Sequence, residues 1–236
     1  MSDSTSGDGQ SIELETKHCR YVIGADGANL HFIDRNTRVD CLDAEAAAPF
    51  ARVKKGDREW PSSAVSREGD ALSVEFGGAD VTVTMRVELH DSHFVFEVLS
   101  CAGDGVDEIT FVDVPLAADR ADGDSLAACA LALNLQTNVA ELPGANVRLR
   151  AMCYPRFGFA GARAAVIACP RDELRAVMQE VVSAAPDLPH SPLGGPWALE
   201  PSVNRGSYLF NFGDLTAETA DDWIAVAQGL GFDQID

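Results

Sequence analysis

VTVTMRVEL (residues 81–89) decides the fold class of this chain. Its apolar residues fall at every second position, and polar residues stand between them. A period of two is typical of a β-strand with one buried and one solvated face. LSVEF (72–76) repeats the pattern, and FVFEVL (94–99) follows the polar turn His90-Asp91-Ser92. The three segments predict an antiparallel meander.

The same strand-like sequence pattern extends from residue 12 to about residue 170. Short strand-like segments recur there, separated by turn sequences such as Ala25-Asp26-Gly27 and Gly103-Asp104-Gly105. Roughly a dozen short strands at this spacing favour a large antiparallel β-sandwich over a parallel sheet. RDELRAVMQEVVSAA (171–185) breaks the period, because its apolar residues recur at helical spacing with Pro170 before them. We expect a flexible tail over 1–11 and a mainly β sandwich domain over 12–185 that ends in this covering helix.

The sequence changes character after the helix. PDLPHSPLGGPW (186–197) is rich in proline and glycine, which predicts an extended linker over 186–204. Residues 205–236 then read as strand, helix and strand, with Thr216 as the predicted N-cap and Gly231 as the predicted end of the helix. We expect the first β-α-β unit of a truncated (β/α)8 barrel, since such a unit needs further strands and helices to cover it.

The composition limits the classes of partner. The chain has 236 residues, with 37 acidic and 18 basic side chains and a formal net charge of -19. A strongly acidic protein does not suit sequence-independent binding to nucleic-acid phosphate or to anionic lipid. No stretch approaches the ~20 apolar residues that span a bilayer. MSDSTSGDGQ (1–10) lacks the pattern of a signal peptide, so a cytoplasmic location is expected.

Six cysteines stand in the sequence without a CxxC pair, several of them within apolar strand-like runs. Free cysteine is among the most buried residue types, and we expect all six to be reduced core residues. The sequence has no GxGxxG, P-loop, GxSxG or HExxH motif, so no cofactor is predicted.

The order of these segments resembles a known arrangement. YVIGADGANLHFIDRNTRVDCL (21–42) and PFARVKKGDREW (49–60) look like the opening hairpins of a galactose-mutarotase-like β-sandwich, or supersandwich. RGSYLFNFGDLTAETADDWIAVAQGLGFDQID (205–236) is similar to the start of a (β/α)8 barrel. The combination resembles several glycoside hydrolase families, including α-galactosidase-like enzymes. The resemblance implies that the catalytic carboxylates lie on later barrel strands, beyond Asp236, so no catalytic residue is assigned.

Candidate substrate-binding residues follow from the barrel geometry. In (β/α)8 enzymes the active site lies at the carboxyl ends of the strands, where Asn211, Asp214 and Asp236 would stand. Amide and carboxylate groups bind sugar hydroxyls well, and Trp197 could stack on a sugar face. The alternatives are that Asp214 caps the helix, Asn211 satisfies local backbone and Trp197 packs between domains.

Two polar clusters in the sandwich have competing interpretations. His90 and His93 would lie near a hairpin turn, where they could bridge a metal ion. The alternative is that both are solvent-exposed turn residues without a ligand, and no metal site is assigned. The amide-rich segment Asn134 to Asn138 could face a sugar, although satisfying loop backbone is the favoured role.

Three hypotheses of different classes remain. The first is a non-catalytic sandwich module of a carbohydrate-active, glycoside-hydrolase-like enzyme, which braces the barrel and contacts carbohydrate. The second is a stand-alone mutarotase-like sugar epimerase, which needs a general acid and base on either side of a sugar ring. The third is a structural or assembly domain without a ligand. The first is the leading hypothesis.

Overall fold

The structure is a computed structural model, and it divides the chain into two compact units, residues 1–188 and 189–236. It describes residues 11–43, 46, 48–117, 126–140, 148–188, 208–209, 213, 215–232 and 234–235. The predicted tail over 1–11 and the predicted linker over 186–204 therefore lie almost wholly outside the described residues.

The described part of the first unit is built mainly from short strands. They are β1 (Ile12–Glu15), β2 (Cys19–Ile23), β3 (Asn29–Asp34), β4 (Arg52–Lys55), β5 (Arg58–Pro61), β6 (Ala64–Glu68), β7 (Ala71–Phe76), β8 (Val81–Leu89), β9 (His93–Ala102), β10 (Glu108–Pro115), β11 (Leu126–Ala132), β12 (Thr137–Val139), β13 (Arg148–Cys153) and β14 (Arg163–Pro170).

These strands form three antiparallel sheets. The first has three strands in the order β1-β2-β3, the second has five in the order β12-β13-β10-β4-β5, and the third has six in the order β11-β14-β9-β8-β7-β6. The predicted meander is confirmed, because β7, β8 and β9 pair in sequence order. A mainly β fold follows, in which the second and third sheets bury their apolar faces in a common core.

One apolar core joins all three sheets. On β8, Val81, Val83, Met85 and Val87 are buried as the alternation predicts, whereas Leu89, beside the turn, is 43% exposed. Tyr21 packs at the centre of the core, with its ring centroid 5.6 Å from that of Phe32 and 6.3 Å from that of Phe94. These contacts bring together side chains from the first and third sheets.

The predicted covering helix is present but shorter than expected. α1 (Leu174–Ser183) packs against β14 and buries Val177, Met178 and Val181. The apolar spacing predicted a helix start at Arg171 after Pro170, but Pro170 is the last residue of β14, where it pairs with Leu126. A hydrogen-bonded turn from Pro170 to Glu173 separates the strand from the helix.

The second unit contains a parallel pair of short strands joined by a helix. β15 (Tyr208–Leu209) pairs with β16 (Gln234–Ile235), and α2 (Ala220–Leu230) lies between them in sequence. α2 ends at Gly231 as predicted, in the left-handed conformation with φ 78°. Its start was predicted wrongly. The Thr216 hydroxyl oxygen accepts hydrogen bonds from the backbone N–H groups of Glu218 and Thr219 in the turn before the helix. The helix itself begins four residues after Thr216, at Ala220.

All six cysteines are free thiols, and five of them are buried; Cys101 is half-buried. Burial raises the pKa of Cys129 and of Cys153 to about 12, and that of Cys169 to about 11. These thiols act as small apolar core side chains, as the sequence predicted.

Candidate functional site

The substrate-binding residues predicted from the barrel geometry are Asn211, Asp214, Asp236 and Trp197, and all four lie outside the described residues. Their role stays a prediction. The sandwich, by contrast, places several polar side chains together that the sequence did not single out.

A buried carboxylate lies on the outer side of the five-stranded sheet. The Asp113 side chain is 0% exposed. Its Oδ2 accepts from Arg52 Nε at 2.9 Å, and its two oxygens accept from Arg148 Nε and Nη2 at 2.5 and 2.8 Å. Two guanidinium groups therefore neutralise this carboxylate and occupy both of its oxygens, which makes Asp113 an anchor for arginines rather than a general base.

The sheet order explains why these residues meet. β10 lies between β13 and β4, and Asp113 is the register partner of Arg150 on β13. Leu149, Ala151 and Cys153 point into the core, so Arg148 and Arg150 lie on the opposite face by alternation. We call Arg52, Asp113, Arg148 and Arg150 the arginine face.

Arg150 differs from its neighbours on the arginine face. Its Nε is buried and has no hydrogen-bond partner among the described residues, although Arg150 stands opposite Asp113 in the register. Buried donors in native proteins are nearly always paired, so an unpaired one needs an explanation.

A partly buried hydrogen-bond network runs from the arginine face to a surface pocket. Asn29 Nδ2 donates to the main-chain oxygens of Asp113 and Ala48, each at 2.8 Å, and Tyr21 Oη donates to Asn29 Oδ1. Burial first, and then the nearby Asp113 charge, raise the pKa of Tyr21 well above its usual value. Tyr21 thus remains a neutral donor that fixes the Asn29 amide.

The pocket has a volume of about 360 Å³ and belongs wholly to the first unit. Its apolar lining comes from Leu30, Leu42, Ala48, Pro49 and Pro115, and its polar lining includes Asp26, Asn29, Asp43 and Ser62. Such a mixture of aliphatic surface and a few hydrogen-bonding groups is typical of small-molecule sites.

His90 lies in the turn between β8 and β9, and His93 is the first residue of β9. The rings of His90 and His93 stack with centroids 4.3 Å apart, and His90 Nε2 lies 3.6 Å from Glu88 Oε2. Both Glu88 oxygens also accept from Arg163 Nη2, at 3.2 and 2.9 Å. Burial first, and then the nearby His90, lower the pKa of His93 to about 4.

This arrangement holds a Glu–His pair within the segment Glu88 to His93, whose two imidazoles and two carboxylates already formed a cluster in the sequence. Glu88 is held by the cation of Arg163 from β14. No group of three or more metal-ligating side chains is found among the residues that the structure describes.

The amide-rich segment after β11 satisfies backbone, as the sequence favoured. Asn134 Nδ2 donates to the Gly161 oxygen at 2.5 Å, and Gln136 Nε2 donates to the Phe157 oxygen at 2.8 Å. These side chains fix the neighbouring loop.

The arginine face was missed at the level of sequence, although its signal was present. EITFVDVPL and NVRLRAMCY were identified only as strands. An aspartate within an otherwise apolar strand needs a cation when buried, and arginines at every second position of another strand supply one. The pairing itself depends on strand order.

No family model matches the chain, and no curated protein matches it. Among solved structures, an alpha-N-acetylgalactosaminidase from Bifidobacterium bifidum is similar to this chain, with 10% sequence identity and a TM-score of 0.49. The alignment covers 93% of this chain and 50% of the enzyme's chain. The chain therefore spans about half the length of that enzyme.

Two further solved structures align less well. A GH31 family sulfoquinovosidase from E. rectale aligns over 91% of this chain and 39% of its own, with 6% identity and a TM-score of 0.38. A galactose mutarotase-like protein from Lactobacillus casei aligns over 69% of this chain and 68% of its own, with 12% identity and a TM-score of 0.27. At these scores the alignments carry no argument about activity.

Within the described part of the chain, neither helix has the length and apolar character needed to cross a membrane.

Proposed function

We propose that this chain is a non-catalytic, carbohydrate-contacting β-sandwich module of a glycoside-hydrolase-like enzyme. The observation that carries the proposal is the pocket beside Asn29. Aliphatic carbons provide a surface for the apolar side of a sugar ring, and the carboxylates of Asp26 and Asp43 accept from hydroxyl groups.

The second unit supports the proposed link to a barrel. β15, α2 and β16 have the connectivity of a βα-barrel repeat, in which parallel strands flank a helix. Ile224, Val226 and Leu230 of α2 are 46%, 45% and 66% exposed. These positions lie on more than one side of the helix, and exposed apolar side chains of this kind are expected where further elements of a domain would pack. In this proposal the sandwich braces the barrel, and Asn211, Asp214, Asp236 and Trp197 contribute to its substrate rim.

Calorimetric titration with galactose, glucose and short neutral oligosaccharides tests the carbohydrate contact. We expect weak, saturable binding that Asp26→Asn reduces, because Asp26 is exposed at the pocket. Asp104→Asn is the matched control, since Asp104 is also an exposed turn aspartate but does not line the pocket. Equal binding by both variants, or no binding of any sugar, would contradict the proposal.

One observation favours the epimerase as a second candidate. Glu88 and His90 form a carboxylate–imidazole pair with a 3.6 Å contact between Oε2 and Nε2. A polarimetric mutarotation assay separates the two functions. The module hypothesis predicts only the spontaneous rate. Turnover above that rate, lost in both Glu88→Gln and His90→Gln, would replace the module with the epimerase.

A further inference from the structure

We infer that the pocket beside Asn29 selects a sugar that carries a free amino group. The inference rests on the proposed function and names the chemical class of the ligand at the same site. It is drawn from the hydrogen-bonding groups that the pocket offers, from the charge of its lining and from the fixed position of one carboxylate.

The pocket offers a ligand acceptors but no side-chain donor among the described residues. Asn29 and Ser62 are the described lining residues whose side chains have protons to donate. Both protons of Asn29 Nδ2 are used, because this atom donates to the main-chain oxygens of Ala48 and Asp113, each at 2.8 Å. Ser62 Oγ donates to the Gly27 oxygen at 3.0 Å. A ligand must therefore supply the protons for its hydrogen bonds to these side chains.

Two carboxylates reach the pocket from separate segments of the chain. Asp26 lies in the turn between β2 and β3, and Asp43 follows Leu42, which forms a bridge to Leu116. None of the described residues that line the pocket is basic. The charge of the described lining is therefore negative only, and the aliphatic side chains beside it weaken the screening by water. A ligand with a positive charge is the one that this lining favours.

Asp26 is held in position before any ligand arrives. Its Oδ1 accepts from the Ala28 N–H at 3.0 Å, and its Oδ2 makes no hydrogen bond or ion pair to the described residues. Gly27 N donates to the Gly24 oxygen at 2.9 Å, and Gly27 O accepts from Phe50 N at 2.8 Å, so the turn itself is fixed. Because Asp26 is exposed, Oδ2 can reach a ligand. A preorganised acceptor loses little conformational entropy on binding.

A protonated amino group matches this lining better than a hydroxyl group does. An ammonium supplies three protons and a positive charge, whereas a hydroxyl supplies one proton and no charge. Charge-assisted hydrogen bonds are also stronger than neutral ones. Leu30, Leu42 and Pro49 give the apolar carbons of a sugar ring a surface in the same pocket. A hexosamine with a free amino group combines both features.

Calorimetric titration of the whole chain at pH 6 and low ionic strength compares glucosamine with glucose, N-acetylglucosamine and methylammonium. Glucosamine should bind at least about fivefold more tightly than glucose, because its ammonium gains Coulomb energy beside the carboxylates. N-acetylglucosamine carries the same nitrogen without a charge, and it should bind within about twofold of glucose. Methylammonium, the free cation, should bind more weakly than glucosamine. The preference for glucosamine should fall to about twofold or less in about 1 M sodium chloride, which screens exposed charges.

Two variants each remove one negative charge and keep the size of the side chain. Asp26→Asn retains an Oδ1 that accepts from the Ala28 N–H, so the turn keeps its hydrogen bond. It should lower the affinity for glucosamine more than that for glucose, which reduces the preference to about twofold. Asp104→Asn is the matched control, because it changes the net charge equally but does not line the pocket, and it should leave the preference unchanged. Urea midpoints equal to that of the parent chain verify folding.

Each outcome decides the inference. Glucosamine binding no tighter than glucose, with glucose still bound, overturns the inference and leaves the proposed function standing. Absence of binding for every sugar overturns both. N-acetylglucosamine or methylammonium binding as tightly as glucosamine also overturns the inference, because the pocket then does not read an ammonium on a sugar. A preference that persists in Asp26→Asn, or that falls equally in Asp104→Asn, excludes the pocket carboxylate as its cause.

Discussion

Replacing Asp113 by Asn removes the charge that Arg52 and Arg148 share. Three charge-assisted hydrogen bonds converge on this side chain, which is 0% exposed. Removing one partner of a buried ion pair costs about 3–5 kcal/mol, because the remaining charges lose their compensation. The two arginine side chains are 25% and 35% exposed, so water compensates them in part. We therefore expect a loss of about 3 kcal/mol in the free energy of unfolding.

Thermal and urea unfolding of the chain, followed by circular dichroism, measure this loss. About 3 kcal/mol corresponds to a fall in Tm of roughly 6–12 °C for a domain of this size. Asp104→Asn, at an exposed turn, is the control and should change stability by less than about 0.5 kcal/mol. Losses from Asp113→Asn and Arg148→Met should also be non-additive, because the two residues share one interaction. A loss below about 1 kcal/mol, or additive losses, would refute the argument.

Three other predictions concern pH, backbone geometry and thiol reactivity. The unfolded chain protonates His93 as the pH falls through 6.5, but the folded ring, with a pKa of about 4, does so only later. The free energy of unfolding should therefore decrease from pH 6.5 to pH 4, by about 1–2 kcal/mol after allowing for the ring's partial exposure. An equally steep decrease in the His93→Gln variant would show that His93 is not the cause. Gly27 has φ +81°, and a Cβ there would lie 2.5 Å from Ser62 Oγ, so Gly27→Ala should destabilise by about 2–3 kcal/mol in urea unfolding. Gly56→Ala, with φ +57° but open space, should lose less, and equal losses would exclude the clash as the cause. A thiol reagent at pH 8 should modify at most Cys101 rapidly in the folded chain and all six cysteines in urea; fast modification of several folded thiols would argue against the buried positions.

The fold was predictable where the signal is local. Alternation along VTVTMRVEL requires only that one face of a strand be buried, and the structure buries that face. Gly231 ended the second helix as expected, since glycine adopts the left-handed conformation at low cost. Helix starts were less predictable. Pro170 and Thr216 are both compatible with a helix start. In the structure, however, Pro170 pairs with Leu126 as part of a strand, and Thr216 accepts a hydrogen bond within the turn that precedes the helix.

The candidate site was predictable only in part. The position of His90 and His93 near a turn followed from the sequence. The stacking of their rings and the ion pair between Arg163 and Glu88 did not. Arg163 and Glu88 lie 75 positions apart in the sequence. Sequence spacing identifies partners within a helix or a hairpin, and it has no information about partners from strands that meet through sheet order.

The sequence by itself determined the mainly β class, the meander, the covering helix and the reduced state expected of the cysteines. These features depend on the pattern of apolar residues within short segments of the chain. The hydrophobic effect acts on that pattern wherever the segment lies in the fold. Only the tertiary structure decided that Asp113 meets Arg52 and Arg148, which are 61 and 35 positions away. The order β13-β10-β4 sets that meeting. A buried charge takes its partner from the strands beside it in space, and their identity is fixed only when the whole sheet has assembled.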